Sequence, residues 1–374
     1  MKIIADNKIP FLKGVFEPFG IEVEYCPGNE IDSARVKEAD ALIIRTRTRC
    51  NETLLKGSKV KFIATATIGF DHIDTHYCNH NDIVWKNAPG CNSGSVMQYM
   101  ASVLTQLALQ QNFSFNKTTL GVVGVGNVGS KVAAMASLLG MKVLLNDPPR
   151  ARAEGKTEFL PLDEIARKAD IITFHVPLNR GGADNTFHLV DDEFIERLKP
   201  CTTIINASRG EVVSNNALKN ALKQKRIKAA VLDVWENEPN IDNELLSLVS
   251  IATPHIAGYS MDGKVNGTAM SVRAISNFFN LGLAEWYPKH IPLPEKTEIE
   301  IDCSGLSLQQ AIGKAIVSTY DVLHDDNRLR KSAHTFEYQR NNYPVRREFN
   351  AFKVRLTNAT TESVDALKKL GFKI

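Results

Sequence analysis

The chain has 374 residues, 43% of them hydrophobic and 23% charged, and its 45 basic against 42 acidic side chains leave a net charge of +3. That balance fits a globular protein of two or three domains and excludes collagen-like, coiled-coil and wholly disordered chains. So mild an excess of positive charge argues against a nucleic-acid partner, and no run of about eighteen apolar residues offers a membrane span.

Cys26, Cys50, Cys78, Cys91, Cys201 and Cys303 include no Cys-x-x-Cys pair. Their spacing predicts reduced thiols in a cytoplasmic protein. Met1 to Pro10 has no signal-peptide core. His72, His76 and His80 recur at i, i+4 and i+8, but without a Cys cluster or an HExxH frame they read as a solvated helix face, and no metal is expected.

In chain order, Ile3–Ala5, Ile21–Tyr25, Ala41–Ile44, Phe62–Ala66 and Ile83–Lys86 read as strands, with helices at Asp32–Ala39 and His72–His80 between them. This alternation predicts an α/β fold with a parallel sheet. Gly94–Gln110 is a long helix, apolar around much of its circumference and so expected to be buried. A second series follows, with strands at Thr119–Val123, Val143–Asn146, Ile171–His175, Thr203–Asn206, Ala229–Leu232 and Ser250–Ala252, and with Asp163 and Ser214 as helix N-caps. After a helix at Met261–Leu281 and the Pro-rich crossing Pro288–Pro294, the pattern restarts. The strand Thr297–Cys303, helix Ser307–Leu323, strand Ala351–Leu356 and helix Glu362–Leu370 predict a small α+β appendage behind a linker.

The sharpest motif is Gly124-x-Gly126-x-x-Gly129, including Asn127 and Val128, between a strand and the helix Val128–Leu139. Gly124 permits a tight turn, Gly126 lets the backbone approach a pyrophosphate, and Gly129 lets helix pack on strand. The helix N-terminus then faces the anion. Asp147 ends the next strand, where it can accept from ribose hydroxyls and repel a 2′-phosphate, so NAD is favoured over NADP. Arg150 and Arg152 are the opposing signal.

Three later segments end strands of the same sheet, where ligands of such folds bind. Asn206-Ala-Ser-Arg-Gly supplies Arg209, whose planar fork suits a carboxylate. Asp233-Val-Trp-Glu-Asn-Glu-Pro supplies Glu238, and Thr253-Pro-His-Ile-Ala-Gly-Tyr supplies His255, a proton carrier that a neighbouring carboxylate can orient.

GVVGVGNVGSKV, NASRGEVV, DVWENEP and TPHIAGY, in that order, resemble the D-isomer-specific 2-hydroxyacid dehydrogenase family over residues 1 to about 285. The tail resembles that of a branch with a C-terminal extension. The resemblance implies a Rossmann NAD-binding domain (94–257) inserted in a flavodoxin-like lid/substrate domain (1–93 and 258–285), plus a C-terminal dimerisation domain (286–374) that makes a homodimer. It implies hydride transfer from a phosphorylated 2-hydroxy acid to NAD, with Arg209, Glu238 and His255 catalytic. Asp147, Val176, Ala207, Ser208, Arg209, Asp233 and Gly258 would line the cofactor beside the glycine loop, and Thr46, Thr67 and Tyr259 would touch substrate. Where relatives carry a threonine, this chain has Val176, which removes a hydroxyl contact.

Arg45, Arg47 and Arg49 would share one face if that segment is extended. Arg45 and Arg47 are therefore candidates for the substrate phosphate, against a solvated edge as the plain alternative. In the tail, Arg346 and Arg347 are either a surface patch or a pair that reaches a partner's active site. Rival functions are a dehydrogenase for another 2-hydroxy acid, such as 3-phosphoglycerate, and an NAD(H)-sensing corepressor-like protein. Residues 1–285 hold 31 basic and 31 acidic side chains and the tail 14 and 11, so the excess charge lies in the tail. Anion binding in the catalytic unit must come from placed arginines.

Overall fold

Short β-branched runs bounded by turns become parallel strands wherever intervening helices can cover both faces of the sheet. The computed structural model, which describes residues 1–155 and 157–374, contains two such sheets in two units: Met1–Asn92 with Ser260–Pro292, and Ser93–Tyr259 with Leu293–Ile374.

In the first unit β1 (Lys2–Asp6), β2 (Glu22–Cys26), β3 (Ala41–Ile44), β4 (Phe62–Thr65) and β5 (Val84–Lys86) are all parallel, in the order β2-β1-β3-β4-β5. This is the flavodoxin-like order. The helix Met261–Phe279 closes one face of this sheet, packing Val272 and Ile275 with Ile3, Ile43 and Phe62. It lies so close that a Cβ on Gly267 would stand 2.7 Å from the carbonyl oxygen of Ala66. The unit is thus assembled from two separated stretches of chain.

Two local expectations fail here. The histidine helix spans only Thr75–His80, because Asp74 caps it and leaves His72 outside, its Nε2 3.1 Å from the Thr65 hydroxyl. Only His76 and His80 share the exposed face, with ring centroids 4.0 Å apart. The segment after β3 turns rather than running on extended: Thr48 N–H bonds back to the Arg45 carbonyl at 3.2 Å, and the buried Thr48 hydroxyl donates to Gly28 O at 2.7 Å. The three arginines therefore do not form a period-two face.

In the second unit β6 (Thr119–Val123), β7 (Lys142–Asn146), β8 (Ile171–Phe174), β9 (Thr203–Asn206), β10 (Ala229–Leu232) and β11 (Ile251–Ala252) form a parallel sheet in the order β11-β10-β9-β8-β6-β7. An isolated parallel bridge between Leu145 and Phe159 stands beside β7, the remnant of the strand that would complete a Rossmann order. The order reverses at β6, which puts the ligand crevice at the carboxyl ends of β6 and β8.

The tail, rather than standing off behind its linker, packs on the long helix Ser93–Gln111. Most of that helix is buried, including Ser95, Gln98, Ser102 and Gln106. Buried polar groups require partners, and the tail supplies them. Gln98 Nε2 donates to Arg347 O at 2.9 Å, Gln106 Nε2 to Asp321 Oδ1 at 2.8 Å, and Ser95 Oγ to Glu348 Oε1 at 2.9 Å.

Within the tail, β12 (Glu298–Asp302) alternates exposed and buried residues as its sequence predicts and pairs in parallel with β13 (Lys353–Thr357). The helix predicted over Ser307–Leu323 is two, Leu308–Thr319 and Val322–Lys331. Asp321 ends the first run and caps the second by accepting from Leu323 N–H. Asp163 sits in the first turn of Leu162–Lys168 rather than at its N-cap, which is Pro161; Ser214 does cap Asn215–Lys223.

Arg346 and Arg347 are buried, so they are no surface patch. Arg346 reaches inward between Tyr320 and Tyr343, with its guanidinium carbon 4.5 and 5.8 Å from the ring centroids, and donates to Ala257 O at 2.6 Å.

Cys201 is exposed and the other five cysteines are buried, all as free thiols. Burial pushes the Cys50 thiol up to about 12 and the Cys78 thiol up to about 11, so neither is a reactive thiolate. No helix among the described residues is long and apolar enough to cross a membrane.

Candidate active site

The glycine loop leaves β6 at Val123, and each glycine has its own steric reason. Gly124 has φ of +85°, and a Cβ there would lie 2.8 Å from the carbonyl oxygen of His175 and from Val176 Cγ1. A Cβ on Gly129 would overlap the Gly124 carbonyl oxygen, whereas Gly126 has open space around it. Gly126 is also the N-cap of the helix Asn127–Leu138, and no side chain among the described residues caps that start. An uncapped helix N-terminus beside an open glycine surface leaves backbone donors and room for an anion, so these residues fit the pyrophosphate of NAD.

Asp147 follows β7 and caps the helix Pro148–Glu154, its Oδ1 accepting from Arg150 N–H at 3.0 Å and its Oδ2 from Val125 N–H at 2.8 Å. A carboxylate has about four acceptor positions, so capacity for ribose hydroxyls remains. The two arginines that argued for NADP are otherwise engaged. Arg150 bonds Glu154 and Val125 O, and Arg152 Nη2 lies 2.5 Å from Asp184 Oδ2.

Beyond β9, the buried Asn206 shapes the next turn: its Oδ1 accepts from Ser208 N–H and Oγ–H, and its Nδ2 donates to Arg209 O at 2.9 Å. Ala207 and the half-buried Arg209 flank this turn. Gly210 is needed because a Cβ would strike the Trp235 carbonyl.

Beyond β10, Asp233 is 1% exposed and takes three hydrogen bonds from the histidine turn. They come from Thr253 Oγ1 at 2.7 Å, Ile256 N at 2.8 Å and Ala257 N at 2.9 Å. Burial raises its affinity for a proton, while the nearby His255, Thr253 and the two backbone N–H groups oppose that shift. Thr253, Ile256 and Ala257, which donate to its carboxylate, belong to the turn that carries His255, Gly258 and Tyr259.

Trp235 links the remaining parts. Its backbone N–H donates to Glu238 Oε1 at 2.9 Å and its indole N–H to Thr253 O at 3.0 Å. Glu238 Oε2 lies 2.7 Å from His255 Nδ1. An ionised carboxylate only accepts, so Nδ1 carries the hydrogen and Nε2 is left with its lone pair. His255 itself has φ of +56°, unusual for a residue with a Cβ.

The structure therefore brings Glu238, His255, Asp233 and Gly258 together and places Arg209 at the end of the neighbouring strand. Sequence reasoning missed Asn206, Trp235 and Thr253. All three stood inside the motifs as polar or aromatic residues close to charged or ionisable ones, the only signal available.

Among the proposed substrate residues, Tyr259 lies in the second unit and Arg45, Thr46, Arg47 and Thr67 in the first. Arg45 is spent on the fully buried Asp6, with Nε 3.0 Å from Oδ2 and Nη2 3.3 Å from Oδ1. That pairing explains the charge of Arg45 without a ligand. Thr46 and Arg47 are exposed in the turn. The Thr67 hydroxyl bonds Gly69 O at 2.9 Å and the Thr65 hydroxyl at 2.7 Å. Among the described residues no group of three or more His, Cys, Asp or Glu could hold a metal ion.

A Rossmann sheet, a glycine fingerprint and a carboxylate-bound histidine at the strand ends define an NAD-dependent oxidoreductase acting on a hydroxyl-bearing carbon. The model of the D-isomer specific 2-hydroxyacid dehydrogenase NAD-binding domain matches residues 98–257, and a domain of unknown function matches 292–371. The erythronate-4-phosphate dehydrogenase of Bacteroides fragilis is 49% identical over 96% of this chain and all of its own. That of Porphyromonas gingivalis is 42% identical over the whole of both chains. Among solved structures, an NAD-bound 3-phosphoglycerate dehydrogenase of Entamoeba histolytica superposes with a TM-score of 0.64 at 25% identity, covering 78% of this chain and 99% of its own. A D-lactate dehydrogenase of Aquifex aeolicus, complexed with NAD and lactic acid, gives 0.62 at 26% identity, covering 76% of this chain and 97% of its own. The chain belongs to the erythronate-4-phosphate dehydrogenases within the D-isomer-specific 2-hydroxyacid dehydrogenase family.

The glycines give a paired prediction. Gly126→Ala should keep wild-type thermal stability while weakening NAD at least about tenfold, because its Cβ meets only the space for the pyrophosphate. Gly129→Ala should lose about 1–3 kcal/mol of folding stability from the forced overlap. Thermal melts and NAD titration separate the two.

A second prediction concerns His175, whose Nε2 is 3.0 Å from Thr173 Oγ1 and whose buried Nδ1 has no partner among the described residues. Burial lowers this histidine from 6.5 to about 3, so the folded state holds it neutral. Below about pH 6.5 the unfolded chain binds a proton that the folded site refuses. Stability therefore falls with pH in that window, by up to about 1.4 kcal/mol per unit. Between pH 7 and pH 5 the wild type should lose about 2 kcal/mol more unfolding free energy in urea than His175→Asn; parallel losses would show that His175 titrates normally.

Proposed function

We propose that the chain catalyses the NAD-dependent oxidation of the C2 hydroxyl of 4-phospho-D-erythronate, giving (R)-3-hydroxy-2-oxo-4-phosphobutanoate, a step in pyridoxal phosphate biosynthesis. The observation that carries this reading is the Trp235–Glu238–His255 relay at the strand ends of an NAD-binding sheet, in a chain matched end to end by relatives named for that reaction.

Bound at Gly124, Gly126, Asn127, Val128, Gly129 and Asp147, with Val176, Ala207, Ser208, Asp233 and Gly258 lining its site, NAD supplies the acceptor for the C2 hydride. His255 Nε2 takes the hydroxyl proton as the carbonyl forms. Glu238 fixes the ring through Nδ1 and stabilises the imidazolium that results. Arg209 presents its fork to the substrate carboxylate and polarises the oxygen at C2. Thr46, Thr67, Arg47 and Tyr259 are our substrate contacts. Arg45 serves the same end indirectly, by holding with Asp6 the turn that carries Thr46 and Arg47.

We also infer a cytoplasmic homodimer formed through residues 286–374. Leu308, Tyr338 and Val345 are large apolar side chains left exposed there, at 44%, 68% and 49%. Light scattering should return twice the 41.4 kDa chain mass, and a monomer would overturn this assembly.

The decisive assay follows NADH absorbance with 4-phosphoerythronate and, separately, with 3-phosphoglycerate. Turnover of the first alone is expected. Turnover of only the second, or of neither, would replace the reading with one of its two rivals. His255→Ala should cut kcat by about 10²–10⁴-fold. Glu238→Gln should cut it by at least about tenfold, since it loses the charge that stabilises the imidazolium.

A further inference from the structure

The tail carries an arginine to the histidine turn. Arg340, near the end of the helix Phe336–Asn341, donates from Nη2 to the Tyr259 hydroxyl at 3.2 Å and from Nη1 to Glu337 Oε2 at 3.0 Å. Its guanidinium carbon lies 5.7 Å from the Tyr259 ring centroid. Its side chain is 22% exposed, and its Nε is buried with no partner among the described residues. Glu238 is near enough for its charge to act on this guanidinium. A cation with a stranded donor thus stands beside the catalytic carboxylate, four residues along the chain from His255 through Tyr259.

A buried unsatisfied N–H costs about 1–3 kcal/mol, so such a donor persists where a ligand completes it. A guanidinium fork, which can present two parallel donors to one group, is suited to carboxylate or phosphate. Because guanidinium can only donate, Tyr259 Oη is the acceptor in their bond, and the phenolic hydrogen points away from Arg340. The pair therefore presents donors and positive charge together. The position is fixed from behind: Asp233 and Arg346 pin the turn before Tyr259, and the Tyr343 ring meets Tyr259 edge-on at 5.9 Å.

Building on the function proposed above, which gives the substrate carboxylate to Arg209, we propose that Arg340 is a specificity-determining residue. Together with the Tyr259 hydroxyl that it holds, it receives the phosphate of the substrate. The tail domain then completes the substrate site of its own chain, and an arginine outside every motif of the catalytic unit decides that the 2-hydroxy acid must be phosphorylated.

The test is steady-state kinetics of the full-length Arg340→Ala, Arg340→Lys and Tyr259→Phe enzymes. Arg340→Ala should raise KM for 4-phosphoerythronate at least about thirtyfold, with kcat and the KM for NAD within about threefold of wild type. Arg340→Lys, which keeps the charge, should recover to within about tenfold, and Tyr259→Phe should raise KM about tenfold. An unchanged KM in Arg340→Ala overturns the assignment, and so does an equal loss for both substrates, which marks a structural role. If Arg340→Ala does not fold, the lysine variant decides alone: a wild-type KM overturns the fork.

A wild-type enzyme inert with 4-phosphoerythronate would instead overturn the function proposed above. Arg340 is then judged by calorimetry with inorganic phosphate on NAD-loaded protein. At least tenfold weaker binding in the variant sustains the site. Equal binding in both proteins, or none in the wild type, removes it.

Discussion

The backbone of one residue, Ala257, organises the strand-end site of this protein. The N–H of Ala257 donates to the carboxylate of Asp233, and its carbonyl oxygen accepts from the Arg346 guanidinium. Asp233 comes from the end of β10 and Arg346 from the tail, so a sheet strand and the C-terminal segment hold the two successive peptide groups that flank one Cα. Both side chains are buried, where a charge is tolerated only if its hydrogen-bonding groups are met. Asp233 meets that demand with three donors from the histidine turn. Arg346 Nε and Nη1 have no hydrogen-bond partner among the described residues, and the guanidinium stands over two tyrosine rings instead, a cation–π arrangement suited to a weakly hydrated cation.

The tail consequently does more than extend the chain. Its buried polar contacts with the helix Ser93–Gln111 explain why that helix carries Ser95, Gln98 and Gln106 at buried positions. A purely apolar seam would let the two parts slide; paired amides and carboxylates fix their register, since a shifted register would strand each of them unpaired. This fixed register brings Arg340 to Tyr259 and Arg346 to Ala257.

What could be read from sequence divides along physical lines. The strands were legible because a parallel sheet covered on both faces demands largely apolar runs, and Ala41–Ile44, Thr119–Val123 and Ala229–Leu232 have them. The glycine loop was legible because each glycine answers a steric demand of its own. The pair of Glu238 with His255 was reachable through motif order. Asn206, Thr253 and Trp235 were not, since polar and aromatic residues next to charged ones have many uses, and only the folded chain shows which carbonyl or carboxylate they meet. The arginines were the least legible. Arg45, charged and beside a strand end, is neutralised by Asp6, a residue 39 positions away. Arg340 lay in a helix that no periodicity signalled, since Phe336–Asn341 is barely more than a turn long.

His255 shows why such a hub is necessary. At φ of +56° a residue with a Cβ sits in the left-handed region, at a cost of roughly 1–2 kcal/mol. A loop free to relax would leave that conformation and swing the ring off Glu238. Here the backbone N–H of His255 bonds the Asp233 carbonyl at 2.6 Å, the two following N–H groups bond the Asp233 carboxylate, and the Trp235 indole holds the carbonyl two residues before. Four hydrogen bonds to residues 233–235 outweigh the strain, each contributing on the order of 1 kcal/mol net and more to the ionised carboxylate. His255 is therefore positioned by the segment that also supplies its carboxylate partner. A displacement of Asp233 would move Glu238 and His255 together and keep their 2.7 Å separation, whereas a change confined to the turn would break it.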